Sequence, residues 1–292
     1  MIFSVIVPFL NEELYIERCI KSLIEQDFAK LEREFIFIDN GSTDSSPDIV
    51  RRYPELTLIR DPLPNVYAAR NKALAIARGE IIAFTDADCE VSPDWLFQIH
   101  EGIRETGADI VLGKRYFPRR SSMLAKILQD YENAKVEYLL THAMTKYYFG
   151  FTNNMAVLTR TLKELKGFRE ESRTEGDTEF IQRCVARYPG SKIVYLPRVE
   201  IVHLEITSSL TWLLKLYAYG KANISVKTTD NHYKELGLKE RLNIFGHLIR
   251  TSHNSFLKSL LAILVLITGN LFYMAGQVQN LITRLFLDRG KT

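Results

Sequence analysis

Four short apolar runs, each followed by a stretch with helical periodicity, constrain this chain more than any other feature of its sequence. Ser4-Val5-Ile6-Val7-Pro8 is β-branched and stops at a proline; Glu34–Ile38, Leu56–Ile59 and Ile81–Phe84 repeat the pattern. Glu12–Gln26 carries Leu14, Ile16, Ile20, Leu23 and Ile24 at helical spacing. Ser45-Ser46-Pro47 reads as a helix start, with a hydroxyl cap and a proline in the first turn. Tyr67–Arg78 reads as a helix closed by Gly79. Alternating strands and helices imply a mainly parallel sheet, whose ligands bind outside the carboxyl ends of the strands. The second run ends in Asp39-Asn40 and the fourth in Thr85-Asp86-Ala87-Asp88, so these groups converge on one edge.

After Ala108 the pattern loosens. Asp109–Gly113, Ile193–Leu196 and Val199–Leu204 read as strands, Ser122–Thr145 as a long helix, and Ser172–Arg187 as a segment that begins polar and becomes helical. From about Ile206 the chain is helical and increasingly apolar. The 292 residues suffice for one large α/β domain with a modest extension or for two small domains, and a net charge of +3 is too weak to argue for nucleic acid as the main partner. Cys19, Cys89 and Cys184 lie far apart without C-x-x-C spacing, which argues against a disulfide framework and for a reducing compartment. The first apolar run is too short, and too interrupted by Pro8, for a signal peptide.

Asp86 and Asp88 flank a single residue on a turn after a buried strand, where two carboxylates can share a hard divalent cation. Such a cation neutralises charge on a departing diphosphate. The blocks around this pair occur in an informative order. They are Ser4–Pro8 with Asn11-Glu12, Ile38–Asp44, Ala69-Arg70-Asn71, Ala77–Glu80, Ala83–Cys89 and Pro93–Leu96. Gly150 with Asn154, Gly167–Glu170, and Gly176–Glu179 with Arg183 follow. On these residues the chain resembles glycosyltransferase family 2 over about residues 3–205.

The resemblance implies an α/β GT-A fold: a Rossmann-like, mainly parallel central sheet flanked by helices, here with a C-terminal helical extension. It divides the chain into a nucleotide-sugar-binding half (1–113), an acceptor-binding half (114–205) and the extension (206–292). It implies a transferase that moves a sugar from a nucleotide-diphosphate donor to an acceptor hydroxyl with inversion. Pro8, Leu10, Asn11 and Glu12 would line the base and ribose pocket, and Asp39 and Asn40 would flank the base. Many uridine-using relatives have aspartate where this chain has Asn40, so uridine, thymidine and guanosine stay open. Arg70 would hold a phosphate or orient an aspartate, Asp86 would contact the ribose or the metal, and Asn154 would touch the acceptor. Asp88 and His203 would hold the cation, a donor set that suits Mn2+ better than Mg2+. Asp177 would be the catalytic base, although Gly176 stands where the family often has glutamate, and Glu179 where it often has aspartate.

No charged residue occurs between Lys258 and Arg284, and apolar groups circle the helix they belong to. Arg241, Arg250, Lys258, Arg284, Arg289 and Lys291 flank this stretch, which suits attachment to an anionic membrane surface. A spanning helix, a homodimer interface and packing on the catalytic domain are the other readings. With a carbohydrate or lipid-linked acceptor, this places the protein in the cytoplasm at the inner face of the cell membrane, in envelope polysaccharide or glycolipid synthesis. A dinucleotide-dependent oxidoreductase would need G-x-G-x-x-G where Pro8-Phe9-Leu10-Asn11-Glu12 stands. A nucleotidyltransferase would need a glycine- and lysine-rich loop near the N-terminus, which is not seen. The remaining alternative is a non-catalytic sugar-nucleotide-binding or scaffold protein with a GT-A fold.

Overall fold

The computed structural model describes residues 2–27, 32–62, 65–171, 176–222, 236–251 and 256–289. Ser172 and Lys291, which figure in the expectations above, lie outside them. The chain separates into two compact units. The first holds Met1–Tyr116 and Leu139–Leu204; the second holds Phe117–Tyr138 and the helices after Glu205.

The first unit is built on one eight-stranded sheet. Its strands are β1 (Phe3–Phe9), β2 (Arg33–Asp39), β3 (Leu56–Arg60), β4 (Ile81–Phe84), β5 (Cys89–Val91), β6 (Ile110–Tyr116), β7 (Met155–Leu158) and β8 (Ile193–His203). They lie in the order β3-β2-β1-β4-β7-β6-β8-β5. Pairing is parallel from β3 through β4 and between β6 and β8, while β7 runs antiparallel to both its neighbours and β5 antiparallel to β8. All seven residues of β1 are buried, as expected of a strand covered on both faces. Helices α1 (Ile16–Ile24), α2 (Ser46–Arg51), α3 (Val66–Ile76) and α4 (Trp95–Thr106) make the crossovers of the first half.

Several local expectations shift, each for a physical reason. Helix α1 starts at Ile16 because the amides of Tyr15 and Ile16 both bond to the Glu12 carbonyl, which leaves Leu14 78% exposed in the preceding turn. The start of α2 has no side-chain cap hydrogen bond; the Ser46 hydroxyl donates to Asp44 and accepts from the Glu12 amide. Gly79 does not close α3, which ends at Ile76 and leaves through an extended Ala77. The glycine serves close approach instead, since a Cβ there would fall 2.3 Å from the Ser4 amide nitrogen of β1. The two strands expected at 193–196 and 199–204 are one strand, β8, with a register shift against β6 between Gly113 and Lys114. Strand β5 has no counterpart in the sequence reading.

Past β6 come α5 (Met123–Thr141), short 3-10 turns at Thr145–Tyr147 and Thr152–Asn154, α6 (Thr159–Glu164) and α7 (Gly176–Arg187). The second unit contains the first part of α5 with α8 (Ser209–Ala222), α9 (Leu238–Thr251) and α10 (Phe256–Arg289). Tyr131 and Ala134 of α5 pack with Ile244 and Leu248 of α9 in a small core. On α10, Gly269 and Gly276 are buried, while Leu264, Ile267, Leu271, Met274, Val278 and Leu281 form an exposed row at alternating spacings of three and four. Among the described residues, no helix is long and apolar enough to cross a membrane.

Candidate functional site

Register brings the residues expected to bind the donor to one edge. Phe9 lies opposite Asp39 across β1–β2, and Ile6 opposite Phe84 across β1–β4, so the loops after β1, β2 and β4 leave the same sheet edge. Pro8 is buried within β1; Leu10, Asn11 and Glu12 form the loop that follows, with Leu10 and Asn11 exposed. Asn11 sits at φ 57°, a left-handed conformation that asparagine tolerates better than most residues. Its amide donates to the Ser42 hydroxyl at 3.0 Å and its side-chain oxygen accepts from the Thr43 amide at 2.8 Å. The Glu12 and Glu13 amides donate to Ser46 and Asp44, completing a lacing of the two loops. Burial pushes the Asp44 carboxyl up, but bonds from the Ser46 hydroxyl and from the Ser46 and Glu13 amides outweigh it and hold the group below its ordinary value.

Asp39 is almost fully buried, and its Oδ1 accepts from the Ser42 amide at 2.7 Å and the Gly41 amide at 3.2 Å. Its Oδ2 has no hydrogen-bond partner among the described residues and faces the Arg60 Nε at 3.6 Å. Asn40 is buried beside it, its amide bonded to the Phe9 carbonyl.

A second group gathers after β4. Buried Arg70 donates to Asp86 Oδ1 at 2.8 Å, and its guanidinium lies 5.6 Å from the Tyr67 ring centroid. Asp177, in the first turn of α7, is half-buried; its carboxylate accepts from the Thr178 amide at 2.9 Å and the Thr152 amide at 3.3 Å. Burial raises its carboxyl above the ordinary range and the nearby Asp86 charge adds to this, while Arg70 and the two amides oppose them. Arg70 therefore acts electrostatically on both aspartates.

The third group is Asp88, Cys89 and His203, all buried, with one donor atom from each within 4.8 Å of the others. His203 Nδ1 lies 3.3 Å from Asp88 Oδ2. Cys89 and His203 are directly paired across β5–β8, and the Leu204 amide donates to the Asp88 carbonyl at 2.7 Å, so backbone pairing fixes the cluster. The Cys89 thiol donates to Asp88 Oδ1 and is held protonated by burial and by the Asp88 and Asp86 charges. The candidate donors are thus a carboxylate, an imidazole and a thiol, a set that fits a divalent first-row ion.

Asn154, expected at the acceptor, lies at the same sheet edge, since Met155 pairs with Phe84 at the end of β4, but its side chain is engaged within the protein. It is fully buried, accepts from Trp95 Nε1 at 2.9 Å, and donates to the carbonyls of Lys114 and Val199 at 2.9 and 3.0 Å. Those carbonyls flank the β6–β8 register shift, so Asn154 plugs the gap that the shift opens in the ladder. Glu179 is likewise tied within the protein, between Arg183 and Arg169 at 2.8 and 3.1 Å. Sequence reasoning passed over Arg60 and Tyr67, whose proximity to Asp39 and Asp177 depends on tertiary packing alone.

Comparison with known proteins bears on the fold and the family. Relatives include the glycosyltransferase AglE of Haloferax volcanii, 28% identical over 62% of this chain and 60% of its own length. The putative glycosyltransferase EpsH of Bacillus subtilis is 31% identical over 52% of this chain and 45% of its own. The chain thus spans less than two thirds of the length of these curated relatives. Among solved structures, the mannosyltransferase PcManGT of Pyrobaculum calidifontis, in complex with GDP-Man and Mn2+, covers 96% of this chain and 86% of its own at TM-score 0.63 and 19% identity. S. aureus TarS 1-349 in complex with UDP-GlcNAc covers 96% and 89% at TM-score 0.58 and 21% identity. These likenesses show the fold, which is GT-A. The model of the family described as "Glycosyl transferase family 2" matches residues 4–164, more than half of the chain and all four donor-side strands; the chain belongs to that family.

Proposed function

We propose that the protein is a metal-dependent, inverting glycosyltransferase that moves a sugar from a nucleotide-diphosphate donor onto an acceptor hydroxyl. One observation carries the reading: a half-buried carboxylate of raised basicity, Asp177, shares the influence of Arg70 with Asp86, two residues from the Asp88–His203 donor pair. The loops holding Pro8, Leu10, Asn11 and Glu12 with Asp39 and Asn40 would take the nucleoside, and Arg70 with Asp86 the ribose and phosphate side. Asp88 and His203 would hold a divalent ion, Mn2+ in preference to Mg2+, which when bound stabilises the diphosphate leaving group. Asp177 would accept the proton of the acceptor hydroxyl as its oxygen bonds to the anomeric carbon and the bond to the diphosphate breaks. The raised pKa suits this role, because a base acts best with a pKa near the working pH.

The matched relatives include a poly(ribitol-phosphate) β-glucosyltransferase of Bacillus spizizenii. That name supports a cell-envelope polysaccharide or glycolipid as acceptor. The exposed apolar row of α10 supports attachment of the second unit to the inner face of the cell membrane. A panel of UDP- and GDP-sugars, assayed for hydrolysis and transfer with Mn2+ and after chelation, tests the reading. Donor binding without turnover under every condition would instead favour a sugar-nucleotide-binding protein that does no chemistry.

A further inference from the structure

Cys89 and His203 stand far apart in sequence and directly opposite one another in the β5–β8 ladder. Residues paired in this way across antiparallel strands project their side chains to the same face, with Cβ atoms about 4.5–5.5 Å apart. The carboxylate of Asp88 meets both: Oδ1 lies 3.5 Å from the Cys89 Sγ and Oδ2 lies 3.3 Å from the His203 Nδ1. Two donors bound to one ion at about 2.0–2.3 Å each stand no more than about 4.6 Å apart. One donor atom from each of the three residues falls within 4.8 Å of the others, so small side-chain rotations close all three on an ion. The backbone holds the arrangement, the Cys89 amide donating to the Asp86 carbonyl at 3.0 Å and the Leu204 amide to the Asp88 carbonyl at 2.7 Å. Cys89 is fully buried and Asp88 and His203 nearly so, which limits the competition from water. Cys19, by contrast, turns its thiol to a backbone oxygen, the Asp86 carbonyl at 3.6 Å.

We infer that Cys89 is a third ligand of the ion, bound through its thiolate, and that the site thereby favours thiophilic divalent ions such as Cd2+ and Co2+. The inference rests on the reading of Asp88 and His203 as cation donors. As the metal–sulfur bond forms, the S–H bond breaks. Its proton, which faces Asp88 Oδ1 when no ion is bound, passes to solvent, and the ion takes its place beside the carboxylate. Soft sulfur adds most to the binding of soft ions and little to that of Mn2+, which the oxygen and nitrogen donors serve.

The tests use the full chain with cadmium, cobalt and manganese chlorides. Co2+ bound to the wild type should show a near-ultraviolet thiolate-to-cobalt charge-transfer band, absent from Cys89→Ser and kept in Cys19→Ser and Cys184→Ser. In calorimetry, Cys89→Ser should lose more than about tenfold in Cd2+ affinity, with Mn2+ affinity within about threefold of wild type. Cd2+ titrations in buffers of different ionisation enthalpy should release about one proton fewer per ion in the variant. The wild-type spectrum needs no substitution, so a variant that fails to fold leaves the test intact. Co2+ binding that depends on His203 but shows no such band overturns the inference and spares the reading beneath it, as does a band that survives in Cys89→Ser. Failure of all these ions to bind, with UDP or GDP present as well as alone, overturns both.

Discussion

At the scale of single residues, Asp177 is where structure and chemistry press hardest on one another. A carboxyl raised by burial binds its proton more tightly folded than unfolded. Its contribution to stability is present at low pH and is lost as pH rises through the raised value. Asp177→Asn should therefore lower transfer by about 10²–10⁴-fold. Its melting temperature relative to wild type should rise as the pH of the scan is taken from acid to neutral. A variant that is inactive but loses stability toward neutral pH would contradict the burial argument while sparing the catalytic one. Asp88 and His203 lend themselves to a separate measurement. Asp88→Asn and His203→Ala should each weaken Mn2+ binding by more than about tenfold, read by calorimetry, because each alters or removes one candidate donor of the Asp88–Cys89–His203 cluster. Asp86→Asn should act on donor affinity before metal affinity, its partner being Arg70.

At the scale of elements, two features govern how far the site can be altered. The loop after β2 depends on Asp44, whose carboxyl is held below its ordinary value by three hydrogen bonds. That stability is present above the unfolded pKa, about 3.9, and lost as pH falls through the native one. Asp44→Asn should lower the melting temperature at neutral pH, and the difference from wild type should vanish in strong acid. The β6–β8 shift depends on Asn154. Asn154→Ala strips partners from two carbonyls and an indole N–H in a fully buried place, and should cost about 2 kcal/mol or more in urea unfolding. Acceptor KM should be untouched, which separates the structural role from the expected binding role.

For the molecule as a whole, what could be read in advance followed the strength of local signals. The four donor-side strands were legible because continuous apolar runs bounded by polar turns have few other uses. The aspartates of their loops were legible for the same reason, since strand ends place them. Strand β5 was not, because three residues following Asp88 carry no periodicity of their own and become a strand only by pairing with β8. The fusion of two expected strands into β8, the plug made by Asn154, and the pairing of Cys89 with His203 are all relations between distant segments. The row on α10 sits between these cases: its apolar character is plain in the sequence, but which residues face outward depends on the packed face of the helix. Leu271→Ser with Val278→Ser should reduce co-sedimentation of the full chain with anionic vesicles about tenfold or more, as two half-exposed apolar groups are withdrawn from lipid. Unaltered co-sedimentation would remove this row from the attachment surface.

The seam between β4 and β7 in the central sheet sets one more condition. Four residue pairs, Ile81↔Leu158 to Phe84↔Met155, stitch β4 to β7, so that β1–β4 and β6–β8 belong to one continuous sheet. A sheet stitched in this way parts along that line only by breaking its ladder. On the function proposed above, room for an acceptor and for the spent nucleotide would come from the connecting loops, so that changing what is accepted would mean rewriting those loops rather than retuning a hinge.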